Sequence, residues 1–295
     1  MRGTRDQGTG AEKGRISRRR FLGLSGASLA GVVALGLPPL VRNLRAGEAP
    51  ANPSTTGPRR QWAMVIDLRK CEGCTTIDSA PGCVQHCIVG HYVPAPQEWI
   101  QVFKVESQGR GSFFMPVPCQ HCENAPCVNV CPVAATYHTA TGAVLIDNRR
   151  CIGCRLCIAA CPYQRRFFNW GEPTIPPEAR FLNYSPELGA PSVKGTTNKC
   201  VWCEHLTKDG KLPHCVSGCP MKAIYWGDLE EDIATNGAET VQFSTFVAAN
   251  NAYRFKEGLG TQPRTWYIPG HGEAFGRHPN DKAQLKPASY PQGEK

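Results

Sequence analysis

The chain has 295 residues, of which 30 are Gly and 25 Pro, so much of it is loop and turn; 41% hydrophobic residues still allow a packed core. The formal charge of +9 is lopsided: residues 1–60 carry 11 Lys/Arg against 3 Asp/Glu, and residues 61–295 carry 22 against 21. The basicity is therefore N-terminal, and the near-neutral body gives no ground for a nucleic-acid partner.

Taken in chain order, the sequence opens with S-R-R-R-F-L at 17–22, a twin-arginine export signature, followed by a charge-free stretch at 21–41. That stretch is long enough to span a bilayer, but its four Gly, two Ser and two Pro make it weakly hydrophobic. It reads as an export signal rather than a permanent anchor. Residues 1–60 are therefore set apart as signal and linker, and the working location is the periplasm or the outer face of the cytoplasmic membrane.

Residues 62–67 read as a strand delivering the first of four cysteine groups: Cys71, Cys74, Cys83 and Cys87. Residues 99–105 and 113–117 look like a β-hairpin turning at 109–111. The second group follows: Cys119, Cys122, Cys127 and Cys131. A second hairpin turns at Thr141-Gly142, and its strand 144–146 leads into Cys151, Cys154, Cys157 and Cys161. Residues 163–199, rich in Pro and aromatics, read as an ordered surface excursion. The fourth group is Cys200, Cys203, Cys215 and Cys219, with a closing strand at 223–226. Residues 243–255 have helical apolar spacing, and the end after His278 reads as mobile.

All sixteen Cys fall in these groups, and the third, CIGCRLCIAACP at 151–162, is the C-x2-C-x2-C-x3-C-P run of bacterial-type ferredoxins. Three thiolates on a tight Gly-bearing loop can face one cubane, while the fourth, a helical turn away, points elsewhere. In two-cluster ferredoxins that fourth Cys ligates the other cluster. Zinc fits poorly, because regular x3-C-P endings are not zinc-ribbon spacing. No Cys is followed by His, which excludes c-type haem attachment. Export would ordinarily suggest disulfides, but thiolates already bound to iron are not open to oxidation. His86, His121, His205 and His214 read as packing or hydrogen-bonding neighbours, since each group already has four thiolates. Arg155, inside the third loop, reads either as a cation that raises a cluster potential or as a solvated, partner-facing charge. Arg165 and Arg166 follow just after. No nucleotide, flavin or molybdopterin motif, nucleophile elbow or metalloprotease motif is present, so no catalytic residue is expected.

These spacings, the x11 spacer of the fourth group included, make residues 61 to about 270 resemble the four-cluster ferredoxin-like iron–sulfur subunits of molybdopterin oxidoreductase complexes. That family includes dimethyl sulfoxide, polysulfide, tetrathionate and nitrite-type reductase subunits. The first group departs from it, with x8 where the family commonly has x2, which leaves Cys83 the odd ligand. The resemblance implies an α+β fold of two bacterial-ferredoxin-like modules with long loops: an outer one from 61–118 with 195–243, an inner one from 119–194, and a C-terminal extension at 244–295. It also implies four [4Fe–4S] clusters with crossed ligands. Cluster A would use Cys71, Cys74, Cys83 and Cys219; cluster B, Cys87, Cys200, Cys203 and Cys215. Cluster C would use Cys119, Cys122, Cys127 and Cys161; cluster D, Cys131, Cys151, Cys154 and Cys157. The implied partners are a molybdopterin-containing catalytic subunit and an integral membrane quinone-reactive subunit. The competing reading is a free-standing exported polyferredoxin shuttle.

Overall fold

In the computed structural model the described residues are 60–74, 80–107, 111–271 and 285–287; the twin-arginine segment lies outside them. Secondary structure is short and mixed, an α+β arrangement. The backbone of the fold is strand β1, Trp62–Asp67, buried along its whole length. Its residues alternate between two apolar layers: Trp62, Met64 and Ile66 join the main core, while Ala63 and Val65 join a smaller one. Both faces are covered, which is why the run reads WAMVI rather than apolar/polar alternation.

Helix α1, Gly82–His91, follows the first cysteine group. The hairpin β2 (Gln101–Ser107) and β3 (Gly111–Val117) pairs antiparallel from Gln101↔Val117 to Ser107↔Gly111. Next come the one-turn helix α2, Pro126–Asn129, and the hairpin β4 (Thr136–His138) and β5 (Val144–Ile146). Gly142 turns that hairpin at φ +80°, a left-handed conformation that glycine adopts without strain. Helix α3, Leu156–Ala160, carries the third group.

The excursion is ordered with little regular structure. It is clamped at its base by β6 (Phe167–Phe168) pairing with β7 (Thr197–Asn198), and holds a 3-10 turn at Pro177–Phe181. Two short helices, α4 (Glu204–Thr207) and α5 (His214–Ser217), precede β8, Ile224–Asp228. The chain then adds β9 (Ile233–Thr235), β10 (Thr240–Gln242), α6 (Phe243–Ala249), β11 (Tyr253–Arg254) and β12 (Thr265–Ile268).

These segments form a six-stranded sheet in the order β10-β9-β8-β1-β12-β11. β1 pairs antiparallel with β8 and parallel with β12, in register Met64↔Thr265. Residues 243–255, expected to be one helix, divide into α6 and β11. Phe243 and Phe246 of α6 pack against the smaller apolar layer, so the helix covers the sheet face opposite the cysteines. The stretch 244–268, expected as extension, thus supplies a helix and two strands to this sheet. Part of the tail also pairs: β13, Leu285–Pro287, lies antiparallel on β2.

Candidate iron–sulfur site

Each cysteine group enters through a turn and exits through a short helix, and the entry turns repeat. Before the first group, Asp67 Oδ1 accepts the Arg69 N–H at 3.0 Å; before the third, Asp147 Oδ1 accepts the Arg149 N–H at 2.9 Å. Both Asp residues sit four positions before a Cys and make the same Asx turn. In the second and fourth groups the residue before the second Cys, His121 or Trp202, has positive φ, and their rings stack at 4.0 Å. Exits repeat as well: the Ala135 N–H donates to Cys131 Sγ at 3.2 Å and the Ala223 N–H to Cys219 Sγ at 3.4 Å. Pro follows both Cys and turns the chain so that the amide four residues on faces the sulfur.

The helices then bring the groups together in crossed pairs. Cys71, Cys74 and Cys83 line one small cavity with Cys219. Cys119, Cys122 and Cys127 line a second with Cys161. Cys151, Cys154 and Cys157 line a third with Cys131. The remaining four, Cys87, Cys200, Cys203 and Cys215, are mutual neighbours: burial, then Cys203, Cys200 and Cys87, push the Cys215 thiol well above its usual range. These sets are called quartets A, C, D and B respectively.

The quartets follow one another. A and B share α1, which carries Cys83 and Cys87 one turn apart. B and C meet where Cys200 faces Cys119. C and D meet at Arg166, which neighbours Cys127, Cys119 and Cys157. Exposure grows toward the ends. In B, Cys87, Cys203 and Cys215 are buried; in A, Cys71 and Cys74 are half-buried; in D, Cys154 is the one exposed cysteine of the sixteen, all unbridged.

Packed thiols in apolar cavities are poor places for free thiolate. Burial pushes Cys71 and Cys122 up to about 12 and Cys200 to about 11. Cys131 is the exception: against the effect of burial, the N–H groups of Thr136, Val133 and Ala135 hold it below its usual value. A metal would reverse this cost by deprotonating the thiols on binding. The cations around the quartets fit such an occupant. Arg165, Arg166 and Lys199 are buried, and none is in an ion pair among the described residues. Arg165 Nη1 and Arg166 Nη2 lack hydrogen-bond partners. Unpaired buried charge costs several kcal/mol, so a negatively charged group held by these cysteines fits the residues present.

Comparison with known proteins agrees. Residues 111–175 match the model of the 4Fe-4S dicluster domain. The chain is 37% identical to the iron-sulfur subunit of a putative dimethyl sulfoxide reductase of Halobacterium salinarum, over 71% of this chain and 79% of that one. It is 37% identical to the B subunit of the selenate reductase of Mesobacillus selenatarsenatis, over 70% and 72%. It is 31% identical to the B subunit of the tetrathionate reductase of Salmonella typhimurium, over 88% and 90%. The chain belongs to this family of iron–sulfur subunits. It is an iron–sulfur electron-transfer subunit of the reductase-complex type, with a 4Fe–4S dicluster domain at 111–175.

The iron–sulfur subunit also resolves the side chains left open by sequence. Arg155 lines the rim of the D cavity but is exposed, its guanidinium 4.6 Å from the ring centroid of Trp170, which favours the solvated of the two alternatives. His121 accepts the Val144 N–H at 2.9 Å and stacks on Trp202, a packing and hydrogen-bonding role. His86 is exposed, while His205 and His214 are half-buried. Three residues escape a reading of the sequence alone. Lys199 is legible there only as surface charge, and Arg166 only as a cation just after the third loop. His91 is buried, with Nε2 3.1 Å from Cys203 Sγ and Nδ1 donating to the Leu188 carbonyl at 2.6 Å. The signal for His91 is present: Cys87 lacks the Pro that ends the other groups, so α1 continues one turn and places His91 above Cys87. His91, Cys203 and His214 bring possible ligand atoms within 4.8 Å of one another, but Cys203 already belongs to quartet B. No helix among the described residues is long and apolar enough to cross a membrane.

Proposed function

We propose that this protein conducts electrons through four [4Fe–4S] clusters in the order A, B, C, D. It would link a molybdopterin-containing catalytic subunit to an integral membrane quinone-reactive subunit outside the cytoplasmic membrane, after export by the twin-arginine route. Cluster A would be held by Cys71, Cys74, Cys83 and Cys219, B by Cys87, Cys200, Cys203 and Cys215, C by Cys119, Cys122, Cys127 and Cys161, and D by Cys131, Cys151, Cys154 and Cys157.

The observation that carries this reading is the crossing of the groups: each quartet takes three cysteines from one group and the last from another. That exchange supports two bacterial-ferredoxin-like modules, 61–118 with 195–243 and 119–194. Bound clusters supply reversible one-electron storage. The chain's own residues hold them, bury the middle of the row and leave its two ends near the surface. Exposed Ile152 (64%) and Leu156 (50%) flank Cys154 in the chain, and exposed Trp170 (72%) lies against Arg155, which supports a docking face at the D end.

The test is iron and acid-labile sulfide analysis of the intact protein, with co-purification of its neighbours. About 16 of each per chain is expected, with a large partner attached. Well under 16 overturns the four-cluster assignment, and a stable, fully loaded monomer overturns the role within a complex in favour of a free shuttle.

A further inference from the structure

Buried cations are distributed unevenly along the row. Quartet C has three. Arg166 is 5% exposed; Nη1 donates to Thr136 Oγ1 at 3.2 Å, Nη2 has no partner, and the side chain lines the C cavity. Its thiol neighbours are Cys127 and Cys119 of C and Cys157 of D. Lys199 is fully buried, with Nζ donating to the Val144 and Cys200 carbonyls, and it faces Cys200 of B and Cys127 of C. Arg165, 5% exposed, has Nη1 unpartnered and faces Cys161 and Cys119 of C. Among the described residues, no Lys or Arg lines the cavity of A. Carbonyls and a hydroxyl cannot neutralise these charges; among the described residues none of the three is in an ion pair, and the half-buried Glu98 carboxylate lies within electrostatic reach of Arg165 only.

A fixed positive charge in a water-poor setting stabilises whichever neighbouring state is more negative, and it is screened far less than a surface charge. Reduction adds one negative charge to a cluster. A guanidinium between two quartets therefore favours electrons on both, and the quartet with the most such neighbours is favoured most.

We propose that Arg165, Arg166 and Lys199 make cluster C the highest-potential cluster of the row, with Lys199 also raising B and Arg166 also raising D. Cluster A sits outside their reach. The row is then not a smooth gradient: it has an electron well third from the A end, so the protein holds an electron internally between exchanges at its ends. This rests on the four-cluster reading above.

The test is an EPR-monitored redox titration of the intact, fully loaded protein, after iron analysis. Each signal is assigned by its loss in Cys83→Ser, Cys215→Ser, Cys161→Ser or Cys151→Ser. In the unmodified protein the signal assigned to C is expected to appear first on reduction. Arg166→Gln is expected to make C and D at least tenfold harder to reduce, about 59 mV for a one-electron couple, leaving A and B in place. Lys199→Met is expected to do the same to C and B, leaving A and D in place. Iron well below 16 defeats the four-cluster reading itself. Full iron with C not first, with unchanged midpoints in the neutral variants, or with all four signals shifting together, overturns this inference alone. Should both neutral variants lose iron, Arg166→Lys and Lys199→Arg decide with the native titration. Native order with C first supports the well; native iron but another order assigns the cations to assembly and overturns it.

Discussion

His91 reaches Cys203 across 112 residues of chain, its Nε2 3.1 Å from the sulfur. The same ring, through Nδ1, holds the carbonyl of Leu188 in the Pro-rich excursion. One side chain at the end of α1 thus joins the first cysteine group, the fourth group and the excursion between them. It can do so because α1 runs past Cys87, and Tyr92 then ends the helix in a left-handed turn at φ 51°.

Replacing that ring should therefore loosen the excursion. His91→Leu keeps most of the volume but strands the Leu188 carbonyl, and an unmet buried acceptor costs roughly 1–3 kcal/mol. The expected outcome is a lower midpoint for thermal loss of visible absorption and faster proteolysis within 182–192. A variant as heat-stable and protease-resistant as the parent would show that the contact contributes little.

Crossing of ligands makes an unusual prediction about which changes look alike. Cys161 belongs to the third group in sequence, but it lines the cavity of the second. Cys161→Ser and Cys127→Ser should accordingly perturb the same EPR signal, and Cys131→Ser and Cys154→Ser another. Cys83→Ser is the sharpest member of the set, since its x8 spacer is the departure from the family. It should cost cluster A alone, because A is terminal. If Cys161→Ser matched Cys157→Ser instead, the crossing would be refuted.

Close approach of α1 and α5 gives a stability prediction with its own control. A Cβ on Gly82 would lie 2.3 Å from the Gly218 carbonyl oxygen, a backbone atom that cannot swing aside. Gly82→Ala must push apart the helices carrying Cys83 and Cys215, at a cost of about 1–3 kcal/mol. A Cβ on Gly171 meets nothing within 4 Å, so Gly171→Ala should lie within about 0.5 kcal/mol of the parent. Denaturant or thermal unfolding of the two variants side by side checks the contrast. Equal midpoints would mean the helices have room to separate.

These features divide by how local their causes are. Strand β1, both hairpins and β8 were legible because apolar runs bounded by Gly, Pro or Asp depend on neighbouring residues. The ligand turns carry a local signal too: Asp67 and Asp147 stand four residues before Cys71 and Cys151, and both make the same turn. The pairing of β12 with β1 was hidden, since Met64 and Thr265 are 201 residues apart and β12 is only four residues long. Residues 243–255 misled because Phe243, Phe246 and Val247 do form a helical face, but Tyr253 then enters the sheet. Lys199 goes unread in the sequence, and Arg166 is noted only beside Arg155, for a chemical reason. Sequence rules send Arg and Lys to the surface unless paired, and the counter-charge proposed for them here is no amino acid but a group held by the cysteines.

Exposure should also separate Arg155 from Arg166, although both lie near quartet D. The Arg155 guanidinium stacks on Trp170 at 4.6 Å and Phe168 at 5.2 Å and faces solvent, where water and salt screen its charge. Arg155→Glu is therefore expected to move the D midpoint far less than Arg166→Gln does. Its effect belongs instead to docking. Reversing a surface charge beside exposed Leu156 and Trp170 should change the rate of electron exchange with a partner, and make that rate respond differently to ionic strength. Stopped-flow reduction across a salt series, set beside an EPR titration of the same sample, separates the two effects. A shift of D as large as that of Arg166→Gln would return Arg155 to the role of a tuning cation.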